Sequence, residues 1–498
     1  MVSTWTCRRM SACLRSAVVA VLSGLMLALL MQGASFAKRP RPKPTPSPSP
    51  TPSPSCSSPL SGVFYVDSLN GNDSNSGTLP SSAWQTISKV VSEESCFAAG
   101  VNVYFLGGGT WNDELTLNNV HGTAGSPITF SSYAVNSNGT ITTATSNLQC
   151  SGAGTPYACC TGKGAGTCSA IIDGNNGAVA SCIAADQSTG TGSNVSYITI
   201  NGFECRNTSQ YGIDFRVETI AMPGIIIQNN YIHNSGPGAD TGGNGFDDGN
   251  YRNQLNAEDD TSGASGGDGF QIIGNTVKNC GGHNCLQVHY DTGGPLVKGN
   301  IVGPGCVHNC IDTKGVVNGQ VSNNVVTCPT CSTGTAAFYT ENTYVPGETI
   351  TYTGNIAYSA PIAFQAEAGG SCSHSPCSIN AKYYNNTIYV PGQFNFIDSS
   401  CTNHTLDIEN NIVGGATTDI HSNCTLTWNY NDDGDGGLSA TISGNPAGFN
   451  DLRDVPACYA SVSPGTGFLS PQSTSVCGAS NASSYLGATA CTTPTICQ

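Results

Sequence analysis

The chain has 498 residues, 24 cysteines and only 10% charged residues, and its formal net charge is −15. All 32 acidic residues follow residue 55, where only ten of the 17 basic residues lie, so this part carries a net charge of −22. This charge excludes a nucleic-acid-binding function, because few cations remain to neutralise phosphates.

The N-terminal segment predicts export. Arginines precede an apolar run over residues 17–31, which leads to the small-residue pattern Ala34-Ser35-Phe36-Ala37. This order is typical of a secretory signal over residues 1–37 and not of a membrane anchor. Residues 38–55 alternate Pro with Ser and Thr and should form an extended linker. We therefore expect a secreted or cell-surface monomer in an oxidising compartment, without a transmembrane segment after signal removal.

A short helix is predicted after the first strand. Trp84, Ile87 and Val91 recur at helical spacing, and Ser81 or Ser82 is a candidate N-cap. A stack of repeated coils exposes the apolar end of its first coil, so we expect this helix to cover that end.

An Asn recurs at one place in a repeated strand motif, which reads for example IIIQNNYI, FQIIGNTV and QVSNNVV. Intervals of 45, 25, 24, 31, 31 and 25 residues separate Asn230, Asn275, Asn300, Asn324, Asn355, Asn386 and Asn411. Alternating apolar residues and a turn at such a period predict a parallel β-solenoid. Asn suits the corner, because it tolerates left-handed backbone geometry and can hydrogen-bond to the same residue on the next rung.

The β-helix is predicted over residues 56–440, followed by a Cys-containing cap or tail over residues 441–498. Residues 148–168 interrupt the repeat and are interpreted as a disulfide-stapled surface loop. Removal of the signal leaves 22 cysteines, and four close pairs lie at rung ends: Cys280 and Cys285, Cys306 and Cys310, Cys328 and Cys331, Cys372 and Cys377. His283 and His308 each precede a Cys by two residues and resemble zinc ligands, but export favours disulfides.

The segments FYVDSLNGNDSNSGT, GGTWNDELTL and GTAGSPITFSSY, together with the Asn-containing rungs, resemble right-handed parallel β-helix proteins of the pectate lyase superfamily. The resemblance extends over most of residues 63–413. It implies an all-β, right-handed parallel β-helix. It leaves the reaction open, because the superfamily contains lyases, glycoside hydrolases, epimerases and non-catalytic surface proteins.

A second strand in each coil reads GIDFR, CLQVH, CIDTK, AFYTE and AFQAE. Side-chain alternation directs their apolar residues to the core and predicts two outward columns. One column contains Asp214, Gln287, Asp312, Tyr339 and Gln365, and the other contains Arg216, His289, Lys314, Glu341 and Glu367. Because superfamily members bind sugar chains on such columns, the resemblance implies that Gln287, Tyr339 and Glu341 bind substrate.

Lys314 is the leading catalytic candidate, for β-elimination of a uronic-acid-containing polysaccharide. A base must remove the C5 proton, and Lys314 can do so if nearby cations lower its pKa. Arg216 and His289 are predicted to supply those cations and to contact the substrate carboxylate. Asp312 on the same face would act in the opposite direction. The alternative is that Lys314 is a surface ion-pair partner of an acidic neighbour.

Calcium is the expected cofactor. The insertion between Asp214 and Gln287, two successive members of one outward column, is rich in carboxylates, Gly and Asn, which suits a hard cation. Asp247-Asp248-Gly249 matches the start of the DDGxD cluster that the resemblance implies, and Asp214 occupies a plausible ligand position in the preceding coil. A solvated acidic loop is the alternative.

Two other functions remain open. A glycoside hydrolase needs two carboxyl groups at defined spacings. The candidate pairs are Glu341 with Glu367, Asp312 with Glu341, and Asp214 with Asp247. A non-catalytic surface rod needs only the Asn ladder, the disulfides and the linker. The preferred function is a secreted polysaccharide-degrading enzyme, a calcium-assisted lyase.

Overall fold

The structure is a computed structural model, and it describes residues 56, 58–135, 140–144, 169–186, 194–217, 221–236, 255–259, 269–280, 283–329, 331, 334–342, 348–368, 379–389, 394–397, 405–414, 418–421 and 425–429. The predicted signal, linker, stapled loop and C-terminal tail lie outside the described residues, as do Asp247, Asp248, Cys372 and Cys377. What the sequence predicts for these residues stays a prediction.

The described strands form three long sheets and one short parallel pair, β5 (Val120–His121) with β10 (Val195–Ser196). The first sheet contains β1 (Val63–Val66), β2 (Asn102–Leu106), β6 (Ile128–Val135), β7 (Ile141–Thr143), β11 (Ile198–Asn201), β14 (Ile226–Gln228), β17 (Gln271–Ile273), β20 (Leu296–Lys298), β23 (Gly319–Ser322), β26 (Glu348–Thr353), β29 (Ile379–Tyr384), β32 (Thr405–Glu409) and β35 (Thr425–Asn429). The second contains β3 (Thr110–Trp111), β8 (Ala170–Asp173), β12 (Phe203–Arg206), β15 (Tyr231–His233), β18 (Thr276–Lys278), β21 (Ile301–Val302), β24 (Val325–Thr327), β27 (Ile356–Tyr358), β30 (Thr387–Tyr389) and β33 (Ile412–Gly414). The third contains β4 (Leu115–Thr116), β9 (Ser181–Asp186), β13 (Tyr211–Val217), β16 (Leu255–Asp259), β19 (Leu286–His289), β22 (Ile311–Lys314), β25 (Ala336–Asn342), β28 (Ile362–Ala368), β31 (Phe394–Ile397) and β34 (Thr418–His421).

The topology is that of a parallel β-helix. The chain visits the three sheets in turn, and every strand pairing within them is parallel except that of β7 with β6. Each strand therefore pairs with the strand one coil away, and each coil closes its apolar face against its neighbours. The fold class predicted from the repeat and from the resemblance is confirmed.

Apolar side chains stack from coil to coil inside the helix. Ile311, Phe338 and Phe364 occupy equivalent register positions on β22, β25 and β28, and all are buried. The rings of Phe338 and Phe364 stack with centroids 4.8 Å apart. Burying each such side chain contributes about 1.5–3 kcal/mol, so the repeated inward positions supply most of the stability.

An Asn ladder lines the corner between the first and second sheets. The backbone N and the Nδ2 of Asn275 both donate to Oδ1 of Asn300, at 2.8 and 3.1 Å, and Nδ2 also donates to the carbonyl of Ile227 at 2.9 Å. The predicted ladder is confirmed. The left-handed backbone, however, belongs to the residue before each ladder Asn, because that residue makes the turn. At the seven corners it is Asn229, Gly274, Gly299, Asn323, Gly354, Asn385 and Asn410.

The short helix α1 (Ile87–Glu93) begins later than predicted. Thr86 is its N-cap, and the Thr86 hydroxyl accepts a hydrogen bond from the backbone N of Lys89 at 3.0 Å. The prediction that Ser81 or Ser82 caps this helix was wrong, because both lie in a separate 3-10 turn over Pro80–Ser82. No helix among the described residues is long and apolar enough to span a membrane.

Disulfides join two of the predicted pairs, Cys280–Cys285 and Cys328–Cys331, and a further one joins Cys56 to Cys96. Contrary to prediction, Cys306 and Cys310 are free thiols. The sulfur of Cys306 is turned toward the preceding rung, 2.9 Å from Sγ of Cys285.

The cysteine cluster around Cys306 does not support a zinc site. The sulfurs of Cys306, Cys310, Cys328 and Cys331 lie within 4.8 Å of one another, but the last two are bonded to each other. They therefore do not offer the four thiolates that a structural zinc ion needs.

Candidate active site on the third sheet

The backbone register of the third sheet aligns the predicted outward residues in two columns and inserts one residue of β16, Glu258 or Asn256, into each. The first column contains Arg216, Glu258, His289, Lys314, Glu341 and Glu367 at equivalent positions of six consecutive strands. The second contains Asp214, Asn256, Gln287, Asp312, Tyr339 and Gln365. His289 and Lys314 are register neighbours, as expected. β16 forms the enlarged rung between β13 and β19.

Lys314 forms an ion pair with the next rung. Its Nζ lies 2.7 Å from Oε2 of Glu341, and Lys314 is only 8% exposed. Lys314 is therefore better suited to contact an anionic group of a substrate than to remove a proton.

His289 and Asp312 form a diagonal pair between the two columns. Nε2 of His289 lies 3.2 Å from Oδ1 of Asp312, and Nδ2 of Asn309 donates to Oδ2 of Asp312 at 3.1 Å. Burial raises the pKa of Asp312, but the His289 hydrogen bond, the charges on His289 and Lys314, and the Asn309 hydrogen bond outweigh burial and lower this pKa to about 2. The ionised carboxylate fixes the His289 tautomer with a proton on Nε2, which leaves the basic lone pair on Nδ1.

Tyr339 lies one rung beyond Asp312 in the same column. Its hydroxyl donates to Oε2 of Glu367 at 3.0 Å, and Nε2 of Gln365 donates to the same oxygen at 3.1 Å. Burial, followed by the negative charges of Glu341, Glu367 and Asp312, raises the pKa of Tyr339. Tyr339 therefore stays protonated, with its proton directed at Glu367.

Two asparagines that the sequence analysis missed hold the second column in place. Asn284 donates from Nδ2 to Oε1 of Gln287 at 2.9 Å, and Asn309 makes the equivalent contact with Asp312. The signal was present, because His-Asn-Cys occurs at both 283–285 and 308–310, 25 residues apart. A repeat at the period of one coil stacks equivalent residues on each other.

The histidines of that repeat stack on each other. The rings of His283 and His308 lie 4.2 Å apart between centroids, and Nδ1 of His308 lies 3.0 Å from Oδ1 of Asn284. Burial, then the positive charge of His308, lowers the pKa of His283 to about 3. His283 is thus neutral at ordinary pH and takes part in packing.

Arg216 lies two rungs from His289 and three from Lys314, because β16 intervenes. Its Nη2 donates to the Tyr211 hydroxyl at 2.6 Å and lies 3.7 Å from Oδ2 of Asp214. At a rung spacing of about 4.8 Å, Arg216 is too distant from Lys314 to supply the neighbouring cation that the sequence analysis assigned to it.

Of the predicted calcium ligands, the structure describes only Asp214. Its carboxylate is 2% exposed and lies beside the guanidinium of Arg216. A calcium ion needs six to eight oxygen ligands and would be repelled by this cation, so Asp214 as placed does not fit a calcium site.

No family model and no curated protein matches the chain. Among solved structures, it is similar to a lacto-N-biosidase from Eubacterium ramulus, with 12% identity, a TM-score of 0.44, and coverage of 79% of this chain and 68% of that one. It is similar to pectate lyase Pel9A, with 12% identity, a TM-score of 0.45, and coverage of 88% and 98%. An alginate lyase from Paenibacillus sp. has 15% identity, a TM-score of 0.36, and coverage of 75% and 97%. At these scores the likenesses carry no argument about the reaction.

Proposed function

We propose that the protein degrades a uronic-acid-containing polysaccharide by β-elimination. The reaction centre is the polar face of the third sheet, formed by His289, Asp312, Lys314, Tyr339 and Glu341. One observation carries this proposal: His289 on β19 contacts Asp312 on β22, the strand that also carries Lys314, and Tyr339 follows on β25. A base, a cation and an acid thus lie within three consecutive rungs.

His289 is the base. Its Nδ1 removes the C5 proton, and the resulting imidazolium is stabilised by the ionised Asp312 at Nε2. This assignment replaces the prediction of Lys314 as base, because Nζ of Lys314 is engaged by the Glu341 carboxylate at 2.7 Å.

Lys314 and Tyr339 complete the reaction. The ammonium of Lys314 contacts the uronate carboxylate, which makes the C5 proton more acidic. The electrons of the C5–H bond form the C4–C5 double bond, the C4–O bond breaks, and the Tyr339 hydroxyl protonates the leaving oxygen. Proton exchange with water then restores Tyr339 and His289.

The test is a screen of acidic and neutral glycans, with and without a chelator, followed by ultraviolet absorbance and by reducing ends. The proposal expects both signals on an acidic glycan, since elimination creates an unsaturated, absorbing product. Reducing ends without absorbance would contradict elimination. Loss of activity with chelator would instead support the predicted calcium dependence, which Asp247 and Asp248 would then carry.

A retaining glycoside hydrolase is the second candidate. Glu341 and Glu367 are register neighbours on adjacent rungs, a spacing of about 4.8 Å, which suits a nucleophile and an acid/base. This reading avoids the repulsion between acidic substrate and acidic protein. It expects reducing ends from a neutral glycan, whereas a non-catalytic surface rod would give neither signal.

A further inference from the structure

A second polar cluster lies on the outward face of the second sheet. Strands β8, β12, β15 and β18 align Asp173, Arg206, His233 and Lys278 at equivalent positions. Glu204 and Tyr231 occupy the neighbouring column on β12 and β15. None of these residues belongs to the polar face of the third sheet.

The acidic residues of this cluster are already paired. Arg206 contacts Oδ2 of Asp173 from Nε at 2.7 Å and Oε1 of Glu204 from Nη1 at 2.9 Å. His233 Nε2 lies 3.2 Å from the same Glu204 oxygen. Both carboxylates thus pair with Arg206 and lie at the Arg206 end of the column.

Lys278, at the other end, is different. It is half-buried, its Nζ lies 6.0 Å from the centre of the Tyr231 ring, and burial lowers its pKa. In the described part of the chain it forms no ion pair, whereas Lys314, Arg206 and Lys89 each do.

The position of Lys278 favours an anionic ligand. Partial burial of an ammonium costs free energy that the contact with Tyr231 offsets only in part. The buried rings of Tyr231 and His233 stack with centroids 4.3 Å apart, and His233 is the register neighbour of Lys278. An incoming anion would recover the lost solvation through a charge-assisted hydrogen bond.

We propose that Lys278, bordered by Tyr231 and His233, forms a second carbohydrate-binding site that takes an anionic group of a sugar, either a uronate carboxylate or a sulfate ester. The acidic polymer rests on the proposed function, but the site does not require turnover. The proposed site places a cation outside the reaction centre, in a region of the chain whose net charge is strongly negative.

The test is calorimetric binding of three probes to a His289→Ala background, which suppresses turnover: an oligogalacturonate, a sulfated oligosaccharide and a neutral xylo-oligosaccharide. Lys278→Gln is compared with Lys298→Gln, which removes the same charge from an exposed position on the first sheet. We expect Lys278→Gln to weaken binding of one acidic probe at least tenfold, and Lys298→Gln by less than twofold.

The probe that loses affinity distinguishes carboxylate from sulfate. Equal effects of the two substitutions, or binding of the neutral probe as tight as that of the acidic ones, would overturn the site. If Lys278-dependent binding occurs while the wild type eliminates no glycan, the proposed reaction fails and the site stands. If elimination occurs without Lys278-dependent binding, the second binding site fails and the proposed reaction stands.

Discussion

The Asn ladder and the polar face of the third sheet are both stacks of polar side chains on parallel rungs, yet they differ in composition. The ladder repeats one residue from Asn230 to Asn411, and each amide bonds to the next amide and to a backbone carbonyl. On the third sheet, by contrast, consecutive rungs carry His289, Lys314 and Glu341.

This difference separates structural from chemical roles. A uniform stack satisfies every polar group internally and adds rigidity. A mixed stack brings groups of different charge and pKa within hydrogen-bond reach, which is what acid–base chemistry requires. Where the repeat departs from its own pattern, a reaction centre becomes possible.

The largest effect should follow from removing the base. We expect His289→Ala to lower kcat for elimination by about a thousandfold, because a positioned general base contributes about 10²–10⁴ in rate. The control is His121→Ala, which removes an exposed imidazole that contacts Ser196 at the edge of the fold. A variant that keeps more than a tenth of wild-type kcat would exclude His289 as the base.

A substitution in the Asn ladder should lower the stability of the fold and leave the reaction unchanged. Asn324→Ala removes two hydrogen bonds that its Nδ2 donates, to Val297 and Asn355, and two that its Oδ1 accepts from Asn300. At about 1 kcal/mol each, the loss is about 3–4 kcal/mol in the free energy of unfolding. Chemical denaturation measures this loss, and Asn380→Ala, at an exposed position, is the control. Equal denaturation midpoints for the two variants would show that the ladder contributes little.

The paired carboxylate should make stability depend on pH. The pKa of Asp312 is about 2 in the folded protein, below its unfolded value near 3.9, so the ionised group stabilises the fold above pH 4 and this contribution is lost as pH falls toward 2. It amounts to about 2 kcal/mol. The unfolding free energies of wild type and Asp312→Asn should converge over that window, and a constant difference would contradict the assigned pKa.

The smallest effect concerns the start of helix α1. Thr86→Ala removes the hydroxyl that accepts from Lys89 and should cost about 1 kcal/mol. Ser81→Ala, outside the helix, should cost almost nothing. Thermal melts of both variants decide between the observed cap and the one expected from sequence.

Much of the fold was predictable because its period is visible. The apolar alternation and the Asn spacing gave the coils, and coil-to-coil alignment placed His289 beside Lys314. The pairing of Cys280 with Cys285 followed from their proximity in the chain.

The diagonal contact was not predictable. Alignment fixes which residue follows which along a column and made Glu341 an available ion-pair partner of Lys314, but rotamers decide that His289 reaches across to Asp312. The cluster around Lys278 was not predictable either, because its strands of three or four residues carry almost no periodic signal.

The most direct test of the central claim is a crystal structure of His289→Ala with an acidic oligosaccharide bound. The account predicts a uronate carboxylate within hydrogen-bond distance of Nζ of Lys314 and a glycosidic oxygen within reach of the Tyr339 hydroxyl. An oligosaccharide bound elsewhere, with no sugar contacting the polar face of the third sheet, would contradict it.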